Sequence, residues 1–502
     1  MRLCLAAAVL SSVVVVACSV QDPGVRSRRA EQITVATDEP TVPSTDAAPA
    51  ATLAAPLFVS APTAVIDDAP RMTVPHAQQD PEQAIHALAT TSDGWLAVGS
   101  MTEAGVPGHS TVWDVSIDGA FGPATPLPTP GDVPSVARDA ISDASGTIVV
   151  GSRGSGRESI ATAWLLGPDL AWSMIDLPLD LARTYGAIAD RVLRLADGTT
   201  VVIGRGNGPF YDDLVLWWST DGGATWTSSV PGMKSFLEPL VATDGTRVAL
   251  FVRSYPNGVT DYAGHETAVF TMQGDALAAL EIQAVDLTPE RRYWPDALLW
   301  DGTQFVVGMQ VDVGPAVATS TDGVNYSVTE FLPPELDSTA AAGVVGLMML
   351  DGSLVVEIEQ QATLSLFRRD GEQFTALDIP HTPSGSLSYL SYRRLSASDG
   401  HRFAYVAGDW DGFTMLRWDG ASWTSGPVLG LSVFRNSARL EVRTIVSTAG
   451  SDLALLSEGY TTAPGVFVDR PAGLLWRPTG SPVWQEYSFA LADLSTPVTI
   501  AE

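Results

Sequence analysis

Residues 192–230 read VLRLADGTTVVIGRGNGPFYDDLVLWWSTDGGATWTSSV, and this stretch decides how the rest of the chain is interpreted. Turn-forming residues alternate in it with short apolar runs at 192–195, 200–203, 214–218 and 226–230. Val, Ile and Trp favour extended strands, and Asp197-Gly198 supplies the positive φ angles that tight hairpin turns need. The segment therefore predicts four antiparallel strands, with a long loop from Arg205 to Asp213 between the second and the third.

The same pattern occurs eight times between residues 85 and 489. The first turns of the repeats are Asp93-Gly94, 143–146, Asp197-Gly198, Asp244-Gly245, Asp301-Gly302, Asp351-Gly352, Asp399-Gly400 and 450–452. The second turns are Asp118-Gly119, 167–169, Asp221-Gly222, Gly274-Asp275, Asp322-Gly323, Asp370-Gly371, Asp419-Gly420 and 478–480. Successive first turns are about 50 residues apart, a period that is typical of solenoids and propellers.

An all-β propeller accounts for this period, because four antiparallel strands make one blade. No long stretch shows the 3.6-residue periodicity of a helix. We predict a propeller of about eight four-stranded blades over residues 81–502, with the first strand of each blade nearest the axis. Seven blades is the alternative, since terminal repeats can be atypical or can share strands to close the ring.

The predicted strand order separates two faces. All short Asp-Gly turns fall on one face, and the longer loops at 204–213, 253–266 and 408–412 fall on the other, where function usually resides. Aromatic and acidic side chains in these loops suit sugar stacking or a bound cation. The candidate ligand-binding residues are Tyr211, Asp212, Asp213, Asp261, Asp409, Trp410 and Asp411. The Asp-x-Asp at Asp409 and Asp411 is a weak signal for structural Ca²⁺, and solvated loop tips remain the simpler interpretation.

The composition excludes some partners. The chain has 57 acidic and 28 basic residues, for a formal net charge of −29. Such a body repels phosphate backbones, so we expect no nucleic-acid partner. The six histidines are scattered, and no Gly-x-Ser-x-Gly or His-Glu-x-x-His motif occurs. We expect a monomer without a cofactor.

The N-terminus has the form of a signal peptide, with Arg2 before an apolar run over residues 3–16. The run ends in Val15-Val16-Ala17-Cys18, which resembles the lipobox of bacterial lipoproteins. The resemblance implies cleavage after Ala17 and acylation of Cys18, so that residues 1–17 are the signal peptide. Cys4 is the only other cysteine, so the mature body would have no disulfide.

Residues 18–80 read as the lipidated cysteine followed by a tether rich in Ala, Pro and Thr. Such a segment buries too little apolar surface to offset its ordering entropy, and its prolines favour extended conformations. Two acyl chains suffice for stable membrane attachment. The expected location is the extracytoplasmic face of a bacterial cell membrane.

Residues 219–226, STDGGATW, resemble the Asp-box of BNR-repeat, sialidase-like propellers, Ser-x-Asp-x-Gly-x-Thr-Trp. A shorter copy at 320–326 has tyrosine in place of tryptophan. The resemblance implies a structural role, in which the aspartate accepts hydrogen bonds from turn amides while the aromatic ring packs under the hairpin. The residues concerned are Ser219, Asp221, Gly223, Trp226, Ser320, Asp322, Gly323 and Tyr326.

The sialidase active-site pattern is not found. Sialidases place an Arg-Ile-Pro-type segment near the start of the propeller, and this sequence has none. Arginines do occur near the predicted first strands, where several could line the central channel or pair with the excess carboxylates. They are Arg138, Arg191, Arg292, Arg394 and Arg443. No catalytic residue can be assigned.

Three hypotheses about function follow. The first is a lipid-anchored, non-catalytic propeller that binds a protein or glycan through its loop face. The second is a sialidase-like or other glycoside hydrolase whose carboxylates the sequence does not reveal; such an enzyme needs converging carboxylates with perturbed pKa values. The third is a scaffold subunit of an envelope assembly, which would show a broad apolar patch.

The lipobox predicts the effect of one substitution. Cys18→Ala removes the only acylation site in the motif, so the protein should leave the membrane pellet and enter a detergent-free soluble fraction. Cys4→Ala is the matched control and should stay with membranes, because Cys4 lies in the segment that is cleaved off. Fractionation and immunoblotting measure both, and membrane retention of the Cys18 variant would contradict the anchor.

Overall fold

The computed structural model describes residues 83–487, apart from 103–107, 132, 180–185, 207–211, 236–238, 255–263, 274, 285–292, 332, 334–335, 337–339, 351, 361–362, 372, 378–395, 398–402, 410–411, 419–422, 426–438, 449–450, 464–465 and 479–484. The predicted signal peptide and tether, including Cys18, lie outside the described residues. In the ranges just given, no helix is long and apolar enough to cross a membrane.

The described chain forms eight antiparallel sheets of consecutive strands, which we number as blades 1–8. Blades 1–4 consist of β1 (Gln83–Thr90), β2 (Gly94–Met101), β3 (His109–Ser116) and β4 (Thr125–Pro126); β5 (Ser135–Asp143), β6 (Gly146–Arg153), β7 (Ile160–Leu166) and β8 (Trp172–Asp176); β9 (Ala187–Arg194), β10 (Thr200–Gly206), β11 (Asp212–Ser219), β12 (Thr227–Ser229) and β13 (Lys234–Ser235); β14 (Leu240–Thr243), β15 (Arg247–Ser254), β16 (Gly264–Gln273) and β17 (Ala276–Ala284). Blades 5–8 consist of β18 (Tyr293–Trp300), β19 (Phe305–Val311), β20 (Gly314–Ser320) and β21 (Ser327–Glu330); β22 (Ala342–Leu350), β23 (Ser353–Gln360), β24 (Thr363–Asp370) and β25 (Gln373–Leu377); β26 (Ser396–Ala397), β27 (Phe403–Asp409), β28 (Gly412–Trp418) and β29 (Trp423–Ser425); β30 (Arg439–Thr448), β31 (Ser451–Ala463), β32 (Val466–Arg477) and β33 (Gln485–Tyr487).

The all-β prediction and the number of blades are confirmed. Each predicted first turn joins the first two strands of a sheet, and each predicted second turn joins its third and fourth strands. The one helical element in the described part is a single 3₁₀ turn at Gly156–Glu158. Because every sheet runs first to fourth strand in sequence order, all Asp-Gly turns share one face, the turn face. The second-to-third connections and the blade linkers share the other, the loop face.

Apolar side chains between neighbouring blades form the core. Val202, Val215 and Trp217 of blade 3, for example, pack with Ile148 and Val150 of blade 2. Further clusters join blades 1 and 2, 3 and 4, 4 and 5, and 5 and 6. Sheets 1 to 5 thus bury both faces against their neighbours, which explains why their inner strands read as nearly continuous apolar runs.

Two tryptophans on third strands fix the preceding blade linkers. Trp164 Nε1 donates to the Pro128 carbonyl at 2.9 Å, and Trp217 Nε1 donates to the Pro178 carbonyl at 2.6 Å. In each linker the residue before the proline is a buried leucine. A Leu-Pro dipeptide after the fourth strand is therefore a repeated linker feature that the turn pattern alone does not reveal.

The ring closes between blades 8 and 1 without exchange of a strand. Leu453 and Leu455 of blade 8 pack against Ile85, Trp95 and Trp113 of blade 1. Within the described residues, the first sheet consists of β1 to β4 alone, so no described strand from the C-terminus completes it. First strands of successive blades lie side by side from β1 to β9 and from β14 through β30 back to β1. They therefore surround the axis, as predicted.

The first strands contain β-bulges at one common height. The pairing with the second strand skips one residue in β1, β5, β9, β18, β22 and β30. Glycines opposite two of these bulges make room for the displaced backbone. A Cβ on Gly151 would lie 1.9 Å from the Val136 carbonyl oxygen, and a Cβ on Gly204 would lie 2.0 Å from the Ile188 carbonyl oxygen.

Three predicted loop boundaries are wrong. Gly204 belongs to β10, because its missing side chain admits the bulge of β9, and Asp212 and Asp213 open β11, because β13 pairs with them. In blade 4 the strands extend to Ser254 and from Gly264, so that only 255–263 separate them. In blade 7, Asp409 pairs with Gly412, which leaves a two-residue connection instead of a long loop.

The glycine opposite the blade 2 bulge should be intolerant of a side chain. Gly151→Ala places a methyl group against a backbone oxygen that cannot move without breaking the bulge, so we expect a loss on the order of 3 kcal/mol in unfolding free energy. Gly314→Ala in β20 is the control, since its nearest neighbour would be the Val311 carbonyl oxygen at 3.9 Å. Denaturant titration measures both, and equal midpoints would contradict the steric explanation.

Candidate functional site

The bulges place one extra residue of each affected first strand at the axis. It is the fourth residue of β1, β5, β9, β18 and β22 and the fifth of β30. We call these six positions the bulge ring; they are His86, Arg138, Asp190, Asp296, Val345 and Arg443. Bulges re-aim side chains and are over-represented beside active sites. All six lie in the loop-face half of the channel, which we call the channel mouth.

An ion cluster joins two members of the bulge ring. Asp190 is buried, and Arg205 of β10 binds its carboxylate with two hydrogen bonds, Nε to Oδ2 at 2.7 Å and Nη2 to Oδ1 at 3.1 Å. Arg138 of the preceding blade places Nη1 3.8 Å from Asp190 Oδ1 while its side chain stays 35% exposed. A bidentate arginine, which donates two hydrogen bonds, satisfies a buried carboxylate. Arg205 therefore holds Asp190 in place, and Arg138 reaches toward solvent.

Further polar contacts fix the junction of blades 2 and 3 around this cluster. The Val192 amide donates to Asp139 Oδ2 at 2.9 Å, and Arg194 Nε lies 2.8 Å from Asp143 Oδ2. Both contacts join β5 to β9. The first strands that carry Arg138 and Asp190 are thus tied together on the turn-face side of the ion cluster, which gives the site a rigid base.

Three of the seven predicted ligand-binding residues are among the described residues. Asp213 is buried in β11 between Gly206 and Lys234, so it is not an exposed loop tip. Asp212 pairs through its backbone with Ser235, and Asp409 ends β27. Tyr211, Asp261, Trp410 and Asp411 lie outside the described residues. The three described candidates belong to two blades, since Asp212 and Asp213 lie in blade 3 and Asp409 lies in blade 7.

The first Asp-box segment forms a closed set of hydrogen bonds on the turn face. Asp221 Oδ1 accepts from Ser219 Oγ at 2.8 Å and from the Thr225 amide at 2.9 Å, and Oδ2 accepts from Thr225 Oγ1 at 2.6 Å. The Gly223 amide donates to Ser219 Oγ, and Trp226 Nε1 donates to the Gly223 carbonyl. The Thr225 hydroxyl, followed by its amide and by Ser219, lowers the pKa of Asp221 to about 2.

The second segment repeats the arrangement. Asp322 Oδ1 accepts from Ser320 Oγ at 2.7 Å and from the Val324 and Asn325 amides. Burial pushes the pKa of Asp322 upward, but hydrogen bonds from Asn325, Ser320 and the two amides outweigh it and leave the pKa below the ordinary value. Burial, with the nearby charge of Asp322, raises the pKa of Tyr326.

Both segments also fill blade junctions. A Cβ on Gly223 would lie 2.5 Å from Leu165 of blade 2, and one on Gly323 would lie 2.6 Å from Val269 of blade 4. The Tyr326 ring meets the edge of Phe251 of blade 4, with centroids 6.0 Å apart. The hairpins are therefore stabilised both by their internal hydrogen bonds and by packing against the preceding blade. They lie on the face opposite the channel mouth.

The bulge ring went unrecognised in the sequence, although a signal exists. An ionisable residue stands in the middle of five first strands, and in two of them all its neighbours are small or apolar, namely Ala-Ile-His86-Ala-Leu and Trp-Pro-Asp296-Ala-Leu. A search for strict alternation of apolar and polar residues does not find these positions, because a bulge shifts the alternation by one residue. Of the arginines near the first strands, Arg138, Arg191 and Arg443 lie within them, and Arg292 and Arg394 lie outside the described residues.

No group of three or more His, Cys, Asp or Glu that could hold a metal ion occurs among the described residues. The predicted Ca²⁺ at Asp409 and Asp411 is not tested by this, since Asp411 lies outside them. The chemistry that the channel mouth offers is charge and hydrogen bonding from side chains on several blades.

Comparisons with known proteins give only distant likeness. No protein-family model matches the chain, and no curated protein matches it. Among solved structures it is similar to a Trypanosoma rangeli sialidase in complex with a difluorinated keto-deoxy-nononic acid, with a TM-score of 0.36 and 11% identity over 63% of this chain and 56% of that chain.

Two peptidase structures are similar to a comparable degree. One is the β-propeller domain of the trilobed protease from Pyrococcus furiosus, with a TM-score of 0.41 and 10% identity over 72% of this chain and 96% of that domain. The other is a prolyl endopeptidase, with a TM-score of 0.44 and 12% identity over 75% of this chain and 55% of that chain. The chain spans little more than half the length of the sialidase and of this endopeptidase, and likeness this low carries no functional argument.

The Asp221 contacts predict a pH-dependent contribution to stability. Asp221→Ala leaves turn donors without their acceptor, and because the carboxylate is exposed we expect a loss on the order of 1 kcal/mol at neutral pH. The folded-state pKa of about 2 lies below the ordinary 3.8, so this contribution is present above 3.8 and lost as the pH falls toward 2.

The check is a comparison of melting temperatures at neutral pH and near pH 2. The wild-type advantage over Asp221→Ala should shrink at the lower pH. Asp169→Ala is the control, since Asp169 Oδ1 accepts one hydrogen bond, from Ala171 at 3.2 Å, and should change stability less. An unchanged wild-type advantage at both pH values would contradict the role of the ionised carboxylate.

Proposed function

We propose that this protein is a lipid-anchored, extracytoplasmic and non-catalytic β-propeller that binds a protein or glycan at the channel mouth. The observation that carries the proposal is the bulge ring, which gathers residues distant in sequence around one opening. Among its members, Arg138 is 35% exposed and Asp296 is exposed, so both face solvent. Rigid scaffolds that present polar groups at such an opening are common binding sites.

The state of Asp190, one of the two carboxylates in the bulge ring, favours binding over catalysis. A glycoside hydrolase of the usual kind needs two carboxylates that flank the scissile bond. Asp190 is instead buried and accepts two hydrogen bonds from Arg205. A carboxylate in this state serves to position an arginine. Arg138 lies beside this pair with its side chain 35% exposed, and it would contact the ligand.

The localisation proposal rests on the sequence. The lipobox and the tether of residues 18–80 would hold the propeller outside the membrane. The chain enters β1 at Gln83, on the loop-face side of the innermost strand. The tether would therefore leave the propeller beside the channel mouth, so a ligand bound there would lie close to the anchored end of the body.

The test is capture of ligands by the full chain in detergent micelles, with a glycan array and a cell-wall pull-down. Arg138→Gln should lower capture about tenfold, the usual effect of losing one hydrogen bond to a charged group. Its melting temperature should stay nearly unchanged, because Arg205 still satisfies Asp190. Asp221→Ala on the turn face is the control and should retain capture.

Three outcomes would overturn the proposal. Capture that Arg138→Gln leaves intact would move the site away from the channel mouth. Loss of capture in Asp221→Ala with an intact fold would place the site on the turn face. Cleavage of array glycans during incubation would show that the protein is a hydrolase.

A further inference from the structure

We infer that residues 74–82 dock on the junction of blades 8 and 1, which we call the seam. Val74-Pro75 takes the place of a blade linker there, and the Pro75 carbonyl accepts a hydrogen bond from Trp113. The inference goes beyond the proposed function, because it concerns how the N-terminal segment completes the ring and needs no ligand. The carrying observation is that Trp113 occupies the position of a linker-binding tryptophan while the linker contact itself is missing from the described residues.

Trp113, Trp164 and Trp217 occupy equivalent positions in blades 1, 2 and 3. Each is on a third strand, in the row of the first-strand residue that lies two positions after the bulge residue. Those first-strand residues are Leu88, Ala140 and Val192. Each tryptophan also packs against the preceding blade, so that Trp113 lies in one cluster with residues of blade 8. The three side chains are therefore placed to make the same contact.

The three tryptophans differ in what their indole nitrogen binds. Trp164 donates to the Pro128 carbonyl. Trp217 donates to the Pro178 carbonyl, and in both linkers the leucine before the proline is buried in the same cluster. Trp113 is also buried, but within the described residues its nitrogen has no hydrogen-bond partner and its cluster holds no linker residue. The seam thus has a linker-binding tryptophan and no described linker.

The sequence before β1 contains a dipeptide at the spacing of a linker. Pro128 precedes the first residue of β5 by seven positions, and Pro178 precedes that of β9 by nine. These strands are in register with β1, because the bulge residue is the fourth of each. Pro75 precedes β1 by eight positions, and the residue before it, Val74, is apolar. Val74-Pro75 can therefore reach Trp113 with the length of chain that the two described linkers use.

The C-terminal segment is the other candidate for this position, since a linker at the seam could come from either end of the chain. Pro128 follows the last residue of β4 by two positions, and Pro178 follows that of β8 by two. After β33, which ends at Tyr487, the next proline is Pro497, ten positions on. The apolar-Pro dipeptide is thus supplied by the N-terminal side of the seam.

Docking of this segment changes where the body begins. The packed body would start near residue 74, and the tether would end near residue 73 instead of 80. Because blade linkers lie on the loop face, the tether would leave the body on that face, over the seam. The segment would cover Trp113 in the way that the linkers cover the corresponding tryptophans of blades 2 and 3.

The experiment is hydrogen exchange of the full chain in detergent micelles, followed by mass spectrometry. Residues 74–82 should exchange as slowly as the linker at 127–134 and more slowly than residues 57–70. Trp113→Phe should speed exchange of 74–82 about fivefold, the usual effect of losing one hydrogen bond, and leave 127–134 unchanged. Trp164→Phe is the matched control and should do the reverse.

A second pair of variants leaves the tryptophan in place. Val74→Asp should release the segment, because the corresponding Leu127 is buried. Ala77→Asp adds the same charge at the position that corresponds to the exposed Pro130, and it should leave the slow exchange intact.

Three results would overturn the inference. Exchange of 74–82 as fast as that of 57–70 in the unmodified chain would show that the segment is not docked. Slow exchange that neither Trp113→Phe nor Val74→Asp alters would place the segment elsewhere on the body. Faster exchange at 488–502 in Trp113→Phe, with 74–82 unchanged, would identify the C-terminal segment as the occupant of the seam.

Discussion

Packing between the faces of neighbouring sheets is the interaction on which this structure depends. A single four-stranded sheet leaves two apolar faces in contact with water and is not stable alone. Here Val202 and Trp217 of blade 3 cover Ile148 and Val150 of blade 2, and the same arrangement recurs from blade to blade. Because every sheet needs a neighbour on both sides, the only arrangement without an uncovered face is a closed ring.

The fold was largely predictable because turn chemistry is local. Asp-Gly marks a tight hairpin whatever surrounds it, so sixteen turns located thirty-two strands and the number of blades. The bulges were not predictable in this way. They depend on what lies across the sheet, as at Gly151 and Gly204, and a single sequence does not show which glycine faces which strand. The loop boundaries at Gly204 and Asp213 were wrong for the same reason, since Gly204 faces the bulge of β9 and β13 pairs with Asp213. The boundary at Asp409 was wrong because Asp409 pairs with Gly412 across a connection of two residues.

The candidate site was harder to predict than the fold. Reasoning from the residues favoured acidic and aromatic loop tips, whereas the described structure aligns ionisable residues of several first strands at one height. Asp213 illustrates the difference: it reads as a loop residue beside Asp212, yet β13 pairs with it and buries it. The carboxylates on the two faces of the propeller also differ in their hydrogen bonds and exposure. Asp221 and Asp322 are saturated by turn donors on one face, and Asp296 is exposed at the other end of its blade.

Closure without strand exchange has a consequence for how the chain folds. Each blade is complete as soon as its own strands are available, so seven junctions form between segments adjacent in sequence. The eighth joins Trp95 and Trp113 to Leu453 and Leu455, and it cannot form before the last blade emerges. Contacts so distant in sequence are slow to form, so a partly folded chain carries two uncovered tryptophans on its first blade. Until this last junction forms, that apolar face can pair with another molecule, which makes the partly folded protein prone to aggregation.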